Sequence, residues 1–185
     1  MIIDLGSYQL PRTITVRPMQ PTRVIVAIMA TTAALFAISG PAGADSDRIV
    51  RLAHGPVTAT VIDGGVAGNS AGDLRTYHIA LTKPRESKRI GFMTGSLLTT
   101  AVDKPRKGWD QRTADLVFTV RGAPNQLIVG GVASYRQKAA TLSRSESVIR
   151  PVIGGSGRYA GAKGWCESIH RANDTWRHVF HISVR

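Results

Sequence analysis

The sequence predicts an all-β domain over residues 45–185, a sandwich or barrel of about eight short antiparallel strands. Three observations predict it. Segments with period-two alternation or β-branched residues recur along this stretch, each bounded by Gly, Pro, Asn or Asp. Their connections are mostly of hairpin length, which favours antiparallel pairing. No convincing helical periodicity follows Asp45, and 19 glycines in 185 residues favour turns and bulges over long helices.

The segments run as follows. Arg48 to Ile62 is broken at Gly55-Pro56, because proline in a strand marks an edge, a bulge or two shorter strands. Asp63 to Gly72 is a glycine-rich loop. Leu74 to Lys83 alternates, with Leu74, Thr76, His78 and Ala80 on one face and Arg75, Tyr77, Ile79 and Leu81 on the other. A charged turn leads to Ile90–Val102, where Gly91 and Gly95 are expected bend or bulge points. Asp103 to Asp110 is a loop, and Arg112–Val120 aligns Ala114, Leu116, Phe118 and Val120. The turn Gly122-Ala123-Pro124-Asn125 joins it to Gln126–Tyr135. A loop or short helical turn fits Arg136–Arg144 equally well. Ser147–Ile153, Gly164–His170 and Thr175–Val184 complete the set.

The N-terminal 44 residues have a different character. Arg12, Arg17 and Arg23 precede a fifteen-residue apolar run, Val24–Ile38, then the helix breaker Ser39-Gly40-Pro41 and the small-x-small pattern Ala42-Gly43-Ala44. This is the order of a secretory signal peptide, cleaved before Asp45, and Met19 is an alternative start. The run is short for a membrane span, which needs about 20 apolar residues. The expected location is therefore the cell envelope, periplasm or exterior, with no stable membrane insertion after cleavage. An uncleaved anchor is the competing reading.

Charge excludes little. The formal net charge is +12, but the basic residues are spread along the chain, no run of five Lys/Arg occurs, and no aromatics interleave with them. Nucleic-acid binding is not expected from that pattern. The single cysteine, Cys166, permits no intrachain disulfide and reads as a small buried apolar residue. His170 shares its face but stands about 13 Å along the strand, too far for a dyad. His178 and His181 have opposite parity, so no metal site is expected. The glycines of 154–164 lack both a Gly-Lys-Ser/Thr ending and a following helix, which excludes a phosphate cradle.

The most informative stretch is Pro151-Val152-Ile153-Gly154-Gly155-Ser156-Gly157-Arg158-Tyr159-Ala160-Gly161-Ala162-Lys163-Gly164. It reads as a strand, a glycine turn, an aromatic plug at Tyr159 and a second glycine turn ending at Gly164. Gly154, Gly155 and Gly157 are expected to take positive φ or to admit a neighbouring backbone. The stretch resembles the Pro-Val-Val/Ile-Gly-Gly-Thr/Ser-Gly run of the allene oxide cyclase barrel and dirigent families. The ending Asp174-Thr175-Trp176-Arg177-His178-Val179-Phe180 looks like that of their bacterial members, without the glycine between Asp174 and Thr175. Gly68-Asn69-Ser70-Ala71-Gly72-Asp73 is similar to their Gly-x-x-x-Gly-Asp element.

The resemblance implies an eight-stranded, calycin-like antiparallel β-barrel with an apolar lumen, assembled as a dimer or trimer and using no cofactor. Its ligand would be a hydrophobic small molecule whose cyclisation, isomerisation or coupling the barrel guides by orientation and water exclusion. The resemblance also admits the N-terminal segment as a helical lid. Candidate catalytic residues are Asp73, on the shared element, with Arg150 and Glu146, four apart and able to face one side as a surface pair. The dirigent catalytic arginine falls at Val148 by spacing, and Arg150 is expected on the opposite strand face. Tyr77, His78 and Tyr135 are candidate lumen residues. Trp176 joins the glycines and Tyr159 as a structural motif residue.

Three classes of function compete: an enzyme-like barrel, a non-catalytic lipocalin-like ligand carrier, and a structural surface barrel. The lumen separates them. A cavity of about 300 Å³ or more with convergent polar groups fits the first, an apolar cavity the second, and a lumen filled by side chains the third.

Overall fold

The computed structural model describes residues 46–184, so the predicted signal segment and the cleavage site before Asp45 lie outside the described residues. The described chain is a nine-stranded antiparallel sheet: β1 (Ser46–His54), β2 (Thr60–Ile62), β3 (Leu74–Thr82), β4 (Arg89–Val102), β5 (Trp109–Val120), β6 (Gln126–Arg136), β7 (Ser147–Ser156), β8 (Lys163–His170) and β9 (Trp176–Val184). Around the sheet the order is β1-β9-β8-β7-β6-β5-β4-β3-β2.

A further pairing of β1 with β3, through Ala53 opposite Thr82, closes eight of these strands into a barrel. The Thr82 hydroxyl reinforces this seam by donating to the Ala53 carbonyl. The short β2 pairs only with β3, outside the ring, and splits from β1 where Gly55-Pro56 interrupts the extended run. Eight strands make a barrel just wide enough for side chains to fill or for one small ligand.

Alternation decides what lies inside. On β5 the inward set Asp110, Arg112, Ala114, Leu116, Phe118 and Val120 is buried, as parity demands. The core continues through Leu81, Leu127, Val129, Val152, Cys166 and Phe180. Strand β5 begins at Trp109, three residues before the predicted start, because Trp109 and Asp110 pair with Arg136 and Tyr135.

One end of the barrel carries the turns β3–β4, β5–β6 and β7–β8, together with the start of β1 and the end of β9. Tyr159, in a short 3-10 turn of Gly157–Tyr159, is buried here and plugs this end. The other end carries the β1–β3 connection and the β4–β5, β6–β7 and β8–β9 loops.

The glycine motif divides by position. Gly164 has φ +134°, and a Cβ there would fall 2.0 Å from the His181 carbonyl oxygen across the β8–β9 pair. Gly154 has open space around the same position. Contrary to the expectation drawn from sequence, Gly154 needs neither positive φ nor a close approach. Gly91 borders the β3–β4 register shift, where Leu81 faces Gly91 and Thr82 faces Arg89, as expected of a bulge point, whereas Gly95 sits in regular register and is a close-approach point, a Cβ there falling 2.2 Å from the Asp115 carbonyl oxygen.

Gly164→Ala is expected to cost at least about 2 kcal/mol, because both backbone and space oppose a side chain. Gly154→Ala is expected to stay within about 1 kcal/mol of the native chain. Chemical denaturation of the two variants side by side measures the difference.

Candidate functional site

A cavity of about 40 Å³ lies in the lumen, toward the loop-rich end. Its wall is mainly apolar: Val57, Met93, Leu97, Leu116 and Val148. Into it come polar side chains from seven segments. His54 ends β1, Tyr77 is on β3, Tyr135 on β6, Arg150 on β7, Ser168 on β8, Trp176 and His178 on β9, and Thr141 on the β6–β7 loop.

The volume is far below the roughly 300–1,000 Å³ of ordinary small-molecule sites, and it suits about three waters. The reason is the β6–β7 loop. Leu142 packs into the core and, with Thr141, occupies the open end of the lumen. Three backbone carbonyls tie this loop down. Tyr77 Oη donates to Ala140 O at 2.7 Å, Arg112 Nη1 to Ala139 O at 2.7 Å, and His170 Nδ1 to Leu142 O at 2.8 Å. The loop is thus a lid held by lumen donors.

The buried donors and acceptors of the wall are not all satisfied. Nε2 of His54, Nε of Arg150, Nε1 of Trp176 and Nε2 of His178 have no hydrogen-bond partner among the described residues. All four belong to side chains that line the cavity. Buried polar groups are overwhelmingly paired; of the seven unpartnered atoms among the described residues these four ring one cavity, while Asn69 Oδ1, Arg75 Nε and Arg112 Nε lie off its wall.

Their protonation follows from their surroundings. His54 Nδ1 faces only the Gly55 carbonyl, so it carries the proton and leaves Nε2 as a bare acceptor. Burial, assisted by nearby His170 and opposed by the Gly55 carbonyl, pulls His54 down to about 4. His178 stacks on His54 and meets the Phe118 edge, and its Nδ1 lies 2.9 Å from Ser168 Oγ. Burial, then His54 and Arg150, hold it well below the ordinary histidine range. Both imidazoles are therefore neutral at pH 7 and only weakly basic. Burial pushes the hydroxyls of Tyr77 and Tyr135 up, so both remain protonated donors. Burial likewise pushes the Cys166 thiol up to about 12, which removes it as a thiolate nucleophile.

Beside the cavity lies an ion pair with both side chains fully buried, Arg112 Nη2 to Asp110 Oδ2 at 3.1 Å. Asn69 Nδ2 donates to the other Asp110 oxygen. Arg112 also stands over the Tyr135 ring, 4.9 Å from its centre, while Arg150 stands 5.9 Å from it. The Arg150 guanidinium donates to the Tyr135 hydroxyl.

The residues predicted from sequence divide accordingly. Tyr77, Tyr135 and Arg150 meet in the lumen. Arg150 corrects the sequence reading: it shares the inward face with Val148 and Val152, since residues two apart in a strand point the same way. His78 is exposed on the outer wall, stacked on Phe92 and 3.0 Å from Thr94 Oγ1, because a strand cannot present both Tyr77 and His78 to the lumen. Glu146 does not pair with Arg150. Its carboxylate caps the lid's own turn by accepting from Ser143 N.

Asp73 is buried under the glycine-rich loop and away from the cavity wall. Burial opposes its charge, but the amides of Ser70 and Gly64, then Arg75 and the Ser70 hydroxyl, hold its carboxyl below the ordinary value. It organises the loop. Trp176, read as architectural, lines the cavity. Sequence reasoning missed His54, Ser168 and Arg112. Arg112 was signalled by its parity with Ala114 and Leu116, since an arginine on an inward face is rarely idle.

No family model matches the chain, and no curated protein matches it by sequence. Solved structures do match its fold. A pyocyanin demethylase superposes with a TM-score of 0.56 at 17% identity, covering 73% of this chain and 99% of that one. The pterocarpan synthase dirigent protein GePTS1 superposes at 0.55 and 13% identity, over 76% and 89% of the two chains. The Diels-Alderase AbmU from Streptomyces koyangensis gives 0.54 and 13%, over 78% and 70%. At these identities the likeness is one of fold: this barrel architecture is shared with dirigent and cyclase barrels.

Neutral buried histidines give a pH signature. The folded state binds fewer protons than the unfolded state wherever an unfolded histidine, near pH 6.5, is charged and His54 or His178 is not. Stability is expected to be full above about pH 6.5 and to fall as the pH drops toward about 4. Each group contributes up to about 1.4 kcal/mol per pH unit in that window. Urea titrations of the native chain and His178→Phe across this range measure it, and the variant is expected to show the shallower fall.

Proposed function

We propose that this barrel takes a hydrophobic small molecule into its lumen and guides its cyclisation, isomerisation or coupling. The observation that carries the reading is the convergence of four unpartnered polar atoms, from His54, Arg150, Trp176 and His178, on one apolar cavity. An apolar wall supplies affinity, and a few placed polar groups supply orientation. Two neighbours of the same fold support it by name: a dirigent protein and a Diels-Alderase.

The chemistry available fits such a role. Arg150 and the Tyr135 hydroxyl can stabilise negative charge developing on a ligand oxygen in a water-poor site. The neutral imidazole of His54 can accept a hydrogen bond through Nε2 and orient a ligand hydroxyl. For a ligand larger than a few waters to enter, the lid must lift, exchanging the Ala139, Ala140 and Leu142 carbonyls for ligand atoms. The apolar run Val24–Ile38 and the Ala42-Gly43-Ala44 pattern support delivery to the cell envelope or exterior.

The small volume favours a second reading, a structural barrel whose lumen is simply filled. Leu142→Ala separates the two. Removing this lid side chain is expected to cost about 2–5 kcal/mol and to open the lumen to small apolar probes. Titration calorimetry with indole is then expected to show tighter uptake by the variant than by the native chain. Native mass spectrometry of protein from its own host is expected to retain a small apolar molecule. A chain that takes up nothing in either experiment is the filled barrel.

A further inference from the structure

We infer that the lumen ligand carries an anionic oxygen group, a carboxylate or an acidic phenol or enol, seated on Arg150 and Tyr135. The inference rests on the lumen-binding reading above and adds the ligand's chemical class.

The barrel interior holds three buried arginines, and they are not equivalent. Arg112 is neutralised by Asp110. Arg75 has no carboxylate within 4.0 Å among the described residues, but it lies off the cavity wall, donates to Thr99 Oγ1 and helps keep the nearby Asp73 carboxyl ionised. Arg150 has no carboxylate within 4.0 Å among the described residues, and its one side-chain partner is the Tyr135 hydroxyl. A guanidinium cannot escape burial by losing its proton. An uncompensated buried cation is costly, and the natural compensation is an anion.

The rest of the wall agrees. No Asp or Glu lines the cavity. Arg150 Nε–H and Trp176 Nε1–H are donors without acceptors. Tyr135 Oη accepts from Arg150, so its own proton is free to point elsewhere, and no described residue accepts it. Three donors around one cavity ask for an acceptor-rich group, and the planar fork of arginine matches a carboxylate in particular. His54 Nε2, the one bare acceptor in a fixed tautomer, would take a hydroxyl of the same ligand. The apolar body would lie against Met93, Leu97, Leu116 and Val148.

Two fluorescent probes with one aromatic skeleton test this on the full chain: 8-anilinonaphthalene-1-sulfonate, an anion, and N-phenyl-1-naphthylamine, which is neutral. The native protein is expected to bind the anion at least about tenfold more tightly, a difference of about 1.4 kcal/mol. Arg150→Met is expected to remove that preference and leave the neutral probe unchanged. Tyr135→Phe is expected to reduce it in part. Arg51→Met, at an exposed position, is expected to change neither and so accounts for binding to the basic surface. If Arg150→Met does not fold, Arg150→Lys and the native comparison of the two probes decide. Equal affinity for both probes, unchanged in the Arg150 variants, overturns the anionic class and leaves lumen binding standing. Binding of neither probe overturns lumen binding, and this inference with it.

Discussion

Everything inside this molecule depends on the seam where β1 meets β3, at Ala53 and Thr82. A sheet has two faces, and until it closes neither is an interior. Seating β1 between β9 and β3 turns one face of eight strands into a single lumen. Side chains of one parity on distant segments then become neighbours. His54 and Trp176, paired across β1 and β9, thereby meet Tyr77, Tyr135 and Arg150 around one cavity.

The lumen is an unusual compromise between packing and polarity. One half is filled by Phe118, Phe180, Leu127 and Val129, with Tyr159 closing its end. The other half contains arginines, tyrosines and histidines. Such a half is stable only if its donors are met, and the lid carbonyls meet three of them, from Tyr77, Arg112 and His170. The same hydrogen bonds that satisfy these donors also close this end of the barrel. In the proposed function, ligand entry and lid release would be one exchange, with ligand oxygens replacing peptide oxygens.

Much of the fold was legible from residues alone because strand parity is local. The alternation of Leu74–Lys83 and of Arg112–Val120 reports which side chains share a face, whatever the strands pair with. The glycine stretch before β8 was equally readable, and Gly164 is glycine for a backbone reason that any sheet of this kind would impose. The site was less legible. His78 and Tyr77 look alike as candidates until closure assigns one face to the lumen. Arg150 was misplaced by parity, although it shares its face with Val148. His54 and Ser168 carry no local signal, since their meaning lies in partners 124 and 10 residues away, His178 in each case.

By itself, the sequence determined the strand segments, their turns and the two faces of each strand, because steric and hydrophobic periodicity act over a few residues. The tertiary structure alone decided which face became the interior, which arginine points into the cavity with no carboxylate beside it, and that the β6–β7 segment folds over the lumen as a lid. Those are consequences of closure. Charge compensation and cavity volume are properties of groups far apart in the chain, and only the barrel brings them together.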